Sequence, residues 1–273
     1  MKINPYTLPI IGAIAGDVVG SPYELKGTRI KTEIFPLFNE KSTFTDDTVL
    51  TLAVAKWMMN REFHLADIVH DIGRKYKNVG FGHTFKEWLR SDNPKPYNSL
   101  GNGSAMRVSS VGVLAKSISE VLQLAKDTAD ITHNHPDGVR GAQAVASAVY
   151  LSFHGYSKEY IKNFIQSQFN YDLCKTISEI RENYEFDATC SGSVPQAIVA
   201  FLESESVEHA IRLAISLGGD ADTQASIAGA ISAAYFQNIS EEISNKVIDL
   251  LPPDLMQILN DFNSFVEHLS QKE

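Results

Sequence analysis

The chain has 273 residues, of which 44% are apolar and 21% charged, and a formal net charge of −9. This is ample material for a hydrophobic core. The acidic balance excludes a general nucleic-acid or membrane-surface binder, since both need a basic face, but not an anionic small ligand at a local site of opposite sign.

Taken from the N-terminus, LPIIGAIAGDVVG holds an A-x-A triplet at Ala13 and Ala15, as a leader cleavage site would. The apolar run before it is only Leu8 to Ile14, broken by Gly12, with Lys2 the only early base, so no signal peptide is expected. Asp17 interrupts the best candidate for a membrane span. Residues 9–20 place Ile10, Ile14 and Val18 on one helical face and Gly12, Gly16 and Gly20 at four-residue spacing, a stripe that lets another backbone approach closely. Residues 48–59 carry Leu50, Ala53, Val54 and Trp57 at helical spacing. Helices are also predicted over 64–76, 81–90, 105–116, 119–129, 138–153, 157–168, 171–183, 193–203, 206–217, 223–235, 240–250 and 254–269. Ser119, Ser157 and Pro252–Pro253 punctuate them. Strand-like alternation is confined to Thr28–Phe35. There is no fixed-period repeat, low-complexity tract or Pro/Ser-rich linker, so one all-α domain over residues 1–273 is expected. Two cysteines, Cys174 and Cys190, cannot form a disulfide framework and point to a reducing cytoplasm.

Two helix starts carry the chemistry. FTDDTVL places Thr45, Asp46 and Asp47 ahead of an apolar helical run, and SLGGDADTQAS places Asp220, Asp222 and Thr223 after Gly218–Gly219. Capping and the helix dipole explain any one of these residues, at about 1 kcal/mol for a cap and about 0.3–1 kcal/mol for a first-turn charge. They explain two such clusters less well. If the two starts meet, like charges about 4 Å apart repel by roughly 4 kcal/mol at an effective dielectric near 20, and the crowding needs a counter-charge. Carboxylates and hydroxyls select hard cations: Mg²⁺, Mn²⁺ or Ca²⁺. The spacing matches neither an EF-hand nor a DDxxD diphosphate site, and an aspartyl-phosphate motif would follow a buried strand.

The other polar loops say less by themselves. Glu24 follows the turn at Gly20–Ser21–Pro22 and is either a solvated acid or a third carboxylate for the same site. NSLGNGSAMR, from Asn98 onward, is a glycine- and amide-rich loop before a helix, suited to phosphate oxygens yet neither a Rossmann fingerprint nor a P-loop. His133 and His135 precede a Pro-Asp-Gly turn with no third zinc ligand in view, so a hydrogen-bonding histidine at a site's rim is the better reading. No G-x-S-x-G or other nucleophile motif is present.

In order, GAIAGDVVGSPYE, FTDDTVLTLA, GNGSAMR, THNH and GGDADTQASIAGAISAAYF span residues 12–236 and resemble the ADP-ribosylglycohydrolase family, which includes the dinitrogenase reductase-activating glycohydrolases. The resemblance implies a compact all-helical fold with a binuclear Mg²⁺ or Mn²⁺ site at helix N-termini. By position, Thr45, Asp46, Asp47, Asp220, Asp222 and Thr223 would be the metal ligands, and Glu24, Asp46 and Asp47 the catalytic group. Asn98, Ser99, Leu100, Gly101, Asn102, Gly103 and Ser104 fall where the family holds the diphosphate, and His133 where it contacts the ADP-ribose. The implied reaction is hydrolysis of the C1″ bond between ADP-ribose and a modified protein side chain or small acceptor, by a cytoplasmic monomer with no membrane or general nucleic-acid partner. Leu100 stands where some relatives carry an aromatic residue, and Gln237 where a glycine often follows AAYF. A non-catalytic ADP-ribose binder and a two-metal nucleotide phosphoesterase are the alternatives.

Overall fold

Side-chain oxygens start many of the helices. Thr45, Ser117, Ser157, Thr176, Thr189, Ser206 and Ser240 each accept a backbone N–H from the first turn that follows, satisfying donors that no helical carbonyl reaches. The computed structural model describes residues 3–270. Its α-helices in chain order are α1 (Leu8–Gly20), α2 (Asp46–Met59), α3 (Leu65–Lys75), α4 (His83–Arg90), α5 (Ser109–Leu114), α6 (Ile118–Asp130) and α7 (Pro136–Phe153). They continue as α8 (Lys158–Phe169), α9 (Ile177–Asn183), α10 (Cys190–Glu203), α11 (Val207–Ile215), α12 (Ala221–Phe236), α13 (Glu241–Ile248) and α14 (Pro253–Ser270). The fold is all-α, and among the described residues no helix is long and apolar enough to cross a membrane.

The centre of the molecule is a pair of helices lying backbone to backbone. Every residue of α1 is buried, and the glycine stripe faces α12. A Cβ on Gly16 would lie 2.0 Å from the Ala225 carbonyl oxygen, one on Gly12 2.3 Å from that of Gly229, and one on Gly20 2.5 Å from Asp222 Cα. No side chain fits there. The contact fixes the start of α12 against the end of α1. The other helices wrap this pair, with α2, α7, α10 and α11 supplying apolar residues to one continuous core.

All fourteen expected helices are present, with shifted ends. α2 begins at Asp46 rather than residue 48, because Thr45 caps it by accepting the Asp47 N–H at 3.3 Å. The helix expected over 105–116 is shorter. The backbone before it is tied to the start of α10 by Asn102 N–H to Ala188 O at 2.8 Å and Cys190 N–H to Leu100 O at 2.9 Å, and only Ser109–Leu114 remain α-helical. The helix expected over 171–183 starts at Ile177, where Thr176 and Glu179 form a capping box. The strand suggested at Thr28–Phe35 does not form. Its backbone is held by side chains instead: Arg212 donates to the carbonyls of Glu33 (3.2 Å) and Phe35 (2.8 Å). Within the same segment Lys31 donates to the carbonyls of Arg181 (3.0 Å), Tyr184 (2.5 Å) and Leu217 (2.6 Å), all at helix ends.

Gly16→Ala should destabilise the protein by about 3 kcal/mol or more, because the new methyl group meets backbone that cannot move aside. Gly82→Ala, with open space around the added carbon, should cost less than about 1 kcal/mol. Urea unfolding of both variants checks this.

Candidate active site

Three helix ends converge because of the central pair. α1 carries Asp17, wholly buried, on its last turn. Its carboxylate accepts Thr45 N–H at 2.9 Å, Thr45 Oγ1–H at 2.7 Å, Thr48 N–H at 3.0 Å and the Thr48 hydroxyl. One acid of α1 thus docks the N-terminus of α2. The glycine contact brings in α12, where Thr223 Oγ1 donates to Asp47 Oδ2 at 3.1 Å. From the loop before α5, Asn102 Nδ2 donates to Asp220 Oδ2 at 2.7 Å and to Ser193 Oγ at 3.1 Å. Glu24 follows the 3-10 turn Ser21–Tyr23 that prolongs α1. The result is two overlapping carboxylate sets. Asp17, Asp47 and Asp222 hold oxygens within 4.8 Å of one another, as do Glu24, Asp220 and Asp222.

The electrostatics are one-sided. Burial pushes all six carboxyls up, Asp46 to about 8 and Asp47 and Asp222 well above the ordinary carboxylate range. Neighbouring acids add to this: Asp17 and Asp46 act on Asp47, and Asp220 and Asp47 act on Asp222. Against them stands Arg29, which favours the charged forms of Glu24 and Asp220. Asp47 Oδ1 is buried with no hydrogen-bond partner. Such an orphan costs about 1–3 kcal/mol, more when charged. A cluster of oxygens, mostly buried and one without a partner, whose negative charge Arg29 offsets only at Glu24 and Asp220, fits a divalent cation. Thr45 Oγ1 gives its proton to Asp17 and accepts one N–H, which leaves one lone pair for a ligand.

The acids form the floor of a cleft of about 300 Å³. Tyr97, Ser99, Gly101, Asn102, Gly103 and His133 also line it. The buried Arg107 sets the state of that histidine. Its Nη2 donates to Thr128 O at 2.6 Å and Thr132 Oγ1 at 3.0 Å. The Thr132 hydroxyl in turn shares a hydrogen bond with His133 Nδ1 at 2.7 Å. Burial and the Arg107 charge hold His133 well below the usual histidine range, hence neutral. Nε2 faces Gly103, where an added Cβ would lie 3.1 Å away. Phe186 closes one side of the cleft, with Arg29 stacked 4.2 Å from its ring centre.

The residues singled out in the sequence therefore divide. Glu24, Asp47, Asp220 and Asp222 come together within the carboxylate sets. Asp46 and Thr223 line the same cleft, Asp46 beside Gly80 and with its N–H on Val79 O at 2.9 Å. Thr45 joins Asp17 to Asp47 by hydrogen bonds. Ser99, Gly101, Asn102, Gly103 and His133 line the same cleft. Asn98, Leu100 and Ser104 shape the loop from outside the cleft. Asn98 adopts φ 56°, Leu100 offers its carbonyl to Cys190 N–H, and Ser104 Oγ donates to Gly138 O at 2.7 Å. Asp17 and Arg107 are assigned no site role from the sequence alone. The signal for Asp17 was available: it is the lone charge within a glycine-striped apolar helix. Arg107 had no comparable signal, since nothing local marks a surface arginine from a buried one.

A sequence profile of the ADP-ribosylglycohydrolases matches residues 9–271. The chain belongs to the ADP-ribosylglycohydrolase family. Among curated relatives, ADP-ribosylhydrolase ARH3 of Mus musculus is 27% identical over 83% of this chain and 82% of its own length. The Homo sapiens ARH3 is likewise 27% identical, over 83% and 84%. An uncharacterized protein of Archaeoglobus fulgidus is 25% identical over 82% and 85%. A solved structure of an ADP-ribosylglycohydrolase-related protein complex superposes with TM-score 0.71 over 96% of this chain and 97% of that one, at 19% identity, which shows the shared fold.

The raised carboxyl pKa values of this glycohydrolase fold make stability depend on pH with a definite sign. A carboxyl whose pKa rises on folding stabilises the metal-free protein below its unfolded value, near ~4. That contribution is lost as pH rises through the folded value, about 8 for Asp46. In EDTA the melting temperature should fall by several degrees between about pH 5 and about pH 8, and excess Mn²⁺ should remove most of the fall. Differential scanning calorimetry in the two buffers measures both; a flat profile in EDTA would contradict the electrostatic reading.

Proposed function

We propose that the protein is a metal-dependent ADP-ribosyl hydrolase, acting as one domain, that cleaves the C1″ glycosidic bond joining ADP-ribose to a protein side chain or small acceptor. The observation that carries the reading is the buried carboxylate cluster, with its unpartnered Asp47 Oδ1, at the floor of a cleft also lined by a glycine- and amide-rich loop. Family membership agrees with it. Asp47, Asp220, Asp222 and the Thr45 and Thr223 hydroxyls, with Asp46 at the mouth, would hold two Mg²⁺ or Mn²⁺ ions. Bound there, the ions would supply Lewis acidity toward the ribose hydroxyls and the attacking water.

The chain's own groups do the rest. Glu24 lies where a base is needed, at the rim of the cluster, with its pKa raised by burial and by the Asp220 and Asp17 charges toward the working pH. It takes the proton of the attacking water as the bond from C1″ to the acceptor breaks with oxocarbenium character, and returns it to the departing acceptor atom. The neutral His133 offers its Nε2 to the substrate for a hydrogen bond. The loop Asn98–Ser104 presents its glycines to the diphosphate, whose negative charge suits a cleft that carries cations. Asn102 positions Asp220, and Asp17 positions the start of α2.

Incubating the protein with arginine- and serine-ADP-ribosylated proteins and identifying the products tests this directly. Free ADP-ribose with an unmodified acceptor is expected in Mg²⁺ or Mn²⁺, with no turnover in EDTA. Glu24→Gln should lower kcat by about 10²–10⁴-fold, and Asp46→Asn and Asp222→Asn should abolish turnover. Full activity in either aspartate variant contradicts the ligand assignment; release of AMP or phosphate contradicts the reaction.

A further inference from the structure

A second cavity, of about 500 Å³, lies between the end of α3, the connection after it and α4. Its charge is opposite to that of the acidic cleft. Arg74, Lys77, Asn78, Lys86, Leu89 and Arg90 line it, four cations and no carboxylate in a chain of net charge −9. Ordinary structural roles account for part of this. Arg74 Nε donates to Leu89 O at 2.6 Å and its guanidinium lies 3.8 Å from the fully exposed Asp92. Arg90 ends α4, where a cation complements the helix dipole. Lys77 and Lys86 have no such explanation. Lys77 lies past the end of α3, and Lys86 is mid-helix and only partly exposed. Among the described residues no carboxylate comes within ion-pairing distance of Lys77, Lys86 or Arg90.

We infer that this cavity is a second ligand site, distinct from the acidic cleft, that takes a phosphate-rich anion of about pyrophosphate size. Convergent guanidinium and ammonium groups call for a multiply charged partner with several acceptor oxygens, which one carboxylate does not provide and linked phosphates do. The Asn78 amide adds a neutral donor. No aromatic ring lines the cavity, so it offers no surface for stacking a nucleobase, and the phosphates are the recognised part. α4 is shared by both sites. His83, Thr84 and Phe85 line the acidic cleft, and Lys86, Leu89 and Arg90 the basic cavity. An anion here sits about one helical turn from the cleft's wall. The phosphates are either free in solution or carried on a larger molecule.

Calorimetric titration with inorganic pyrophosphate, in EDTA and at low salt, tests the site without reference to catalysis. EDTA removes any cation that would draw an anion to the acidic cleft, and the variants below, all outside that cleft, separate residual binding there from binding in the basic cavity. Saturable one-site binding is expected, weakened at least about tenfold in Lys77→Ala/Lys86→Ala/Arg90→Ala and weakened in the wild type as salt is raised. Arg74 is spared because it ties α3 to α4. The exposed Lys77→Glu alone should weaken binding in the same direction, which keeps the test decisive if the triple variant does not fold. A doubly phosphorylated peptide that binds more tightly than pyrophosphate identifies a carried anion; equal or weaker binding identifies a free one. No saturable heat with the wild type, or an unchanged Kd in the variants, overturns the inference.

Discussion

The close approach of α1 and α12 is the constraint on which the rest depends. It exists because Gly12, Gly16, Gly20 and Gly229 leave no room for a Cβ between the two backbones. A wider spacing would move the start of α12 away from the end of α1, and Asp222 away from Asp17. Asp17 then extends the arrangement to a third element, since both its oxygens accept hydrogen bonds from Thr45 and Thr48 of α2. A stripe of missing side chains and one buried acid thus bring two distant segments of sequence to one point.

That convergence carries an electrostatic cost, and the cost explains the chemistry proposed for it. Burial acts against ionisation at all six carboxyls, and repulsion from neighbouring acids of the cluster adds to it at Glu24, Asp46, Asp47 and Asp222, with Arg29 opposing at Glu24 and Asp220. Metal-free, the cluster relaxes by holding protons. Divalent ions would replace those protons with a stronger counter-charge, so occupancy and folding stability are coupled. The rest of the cleft is built on different terms. Around His133, a hydrogen-bond chain from Arg107 through Thr132 holds the orientation of a neutral ring, which places a polar nitrogen in the cleft without adding charge.

The fold was legible because its signals are local. Glycines at four-residue spacing, apolar residues at i, i+3, i+4 and i+7, and capping hydroxyls locate helices without reference to the rest of the chain. The failures occur where tertiary contacts override local pattern. Thr28–Phe35 alternates like a strand, but Arg212 and Lys31 hold that segment, and among the described residues no second strand is there to pair with it. The residues before Ser109 read as helix, yet the chain there turns to meet α10. In the candidate site, the paired acids were visible as a pattern with no adequate local explanation. Asp17 was read only as a break in an apolar run, because its role consists entirely of contacts with residues some thirty positions away. The outward roles of Asn98, Leu100 and Ser104 follow from how the loop is tied to α10 and α7, which no spacing reveals.

The central claim is that the two acidic helix starts enclose a pair of divalent cations. Anomalous diffraction from crystals grown in excess Mn²⁺ tests it most directly. The account predicts two anomalous peaks in the cleft, one within about 2.5 Å of Asp47 Oδ1 and both sharing carboxylates of Asp47, Asp220 or Asp222. A cleft without a peak at saturating Mn²⁺, or peaks that bypass Asp47 and Asp222, would contradict it.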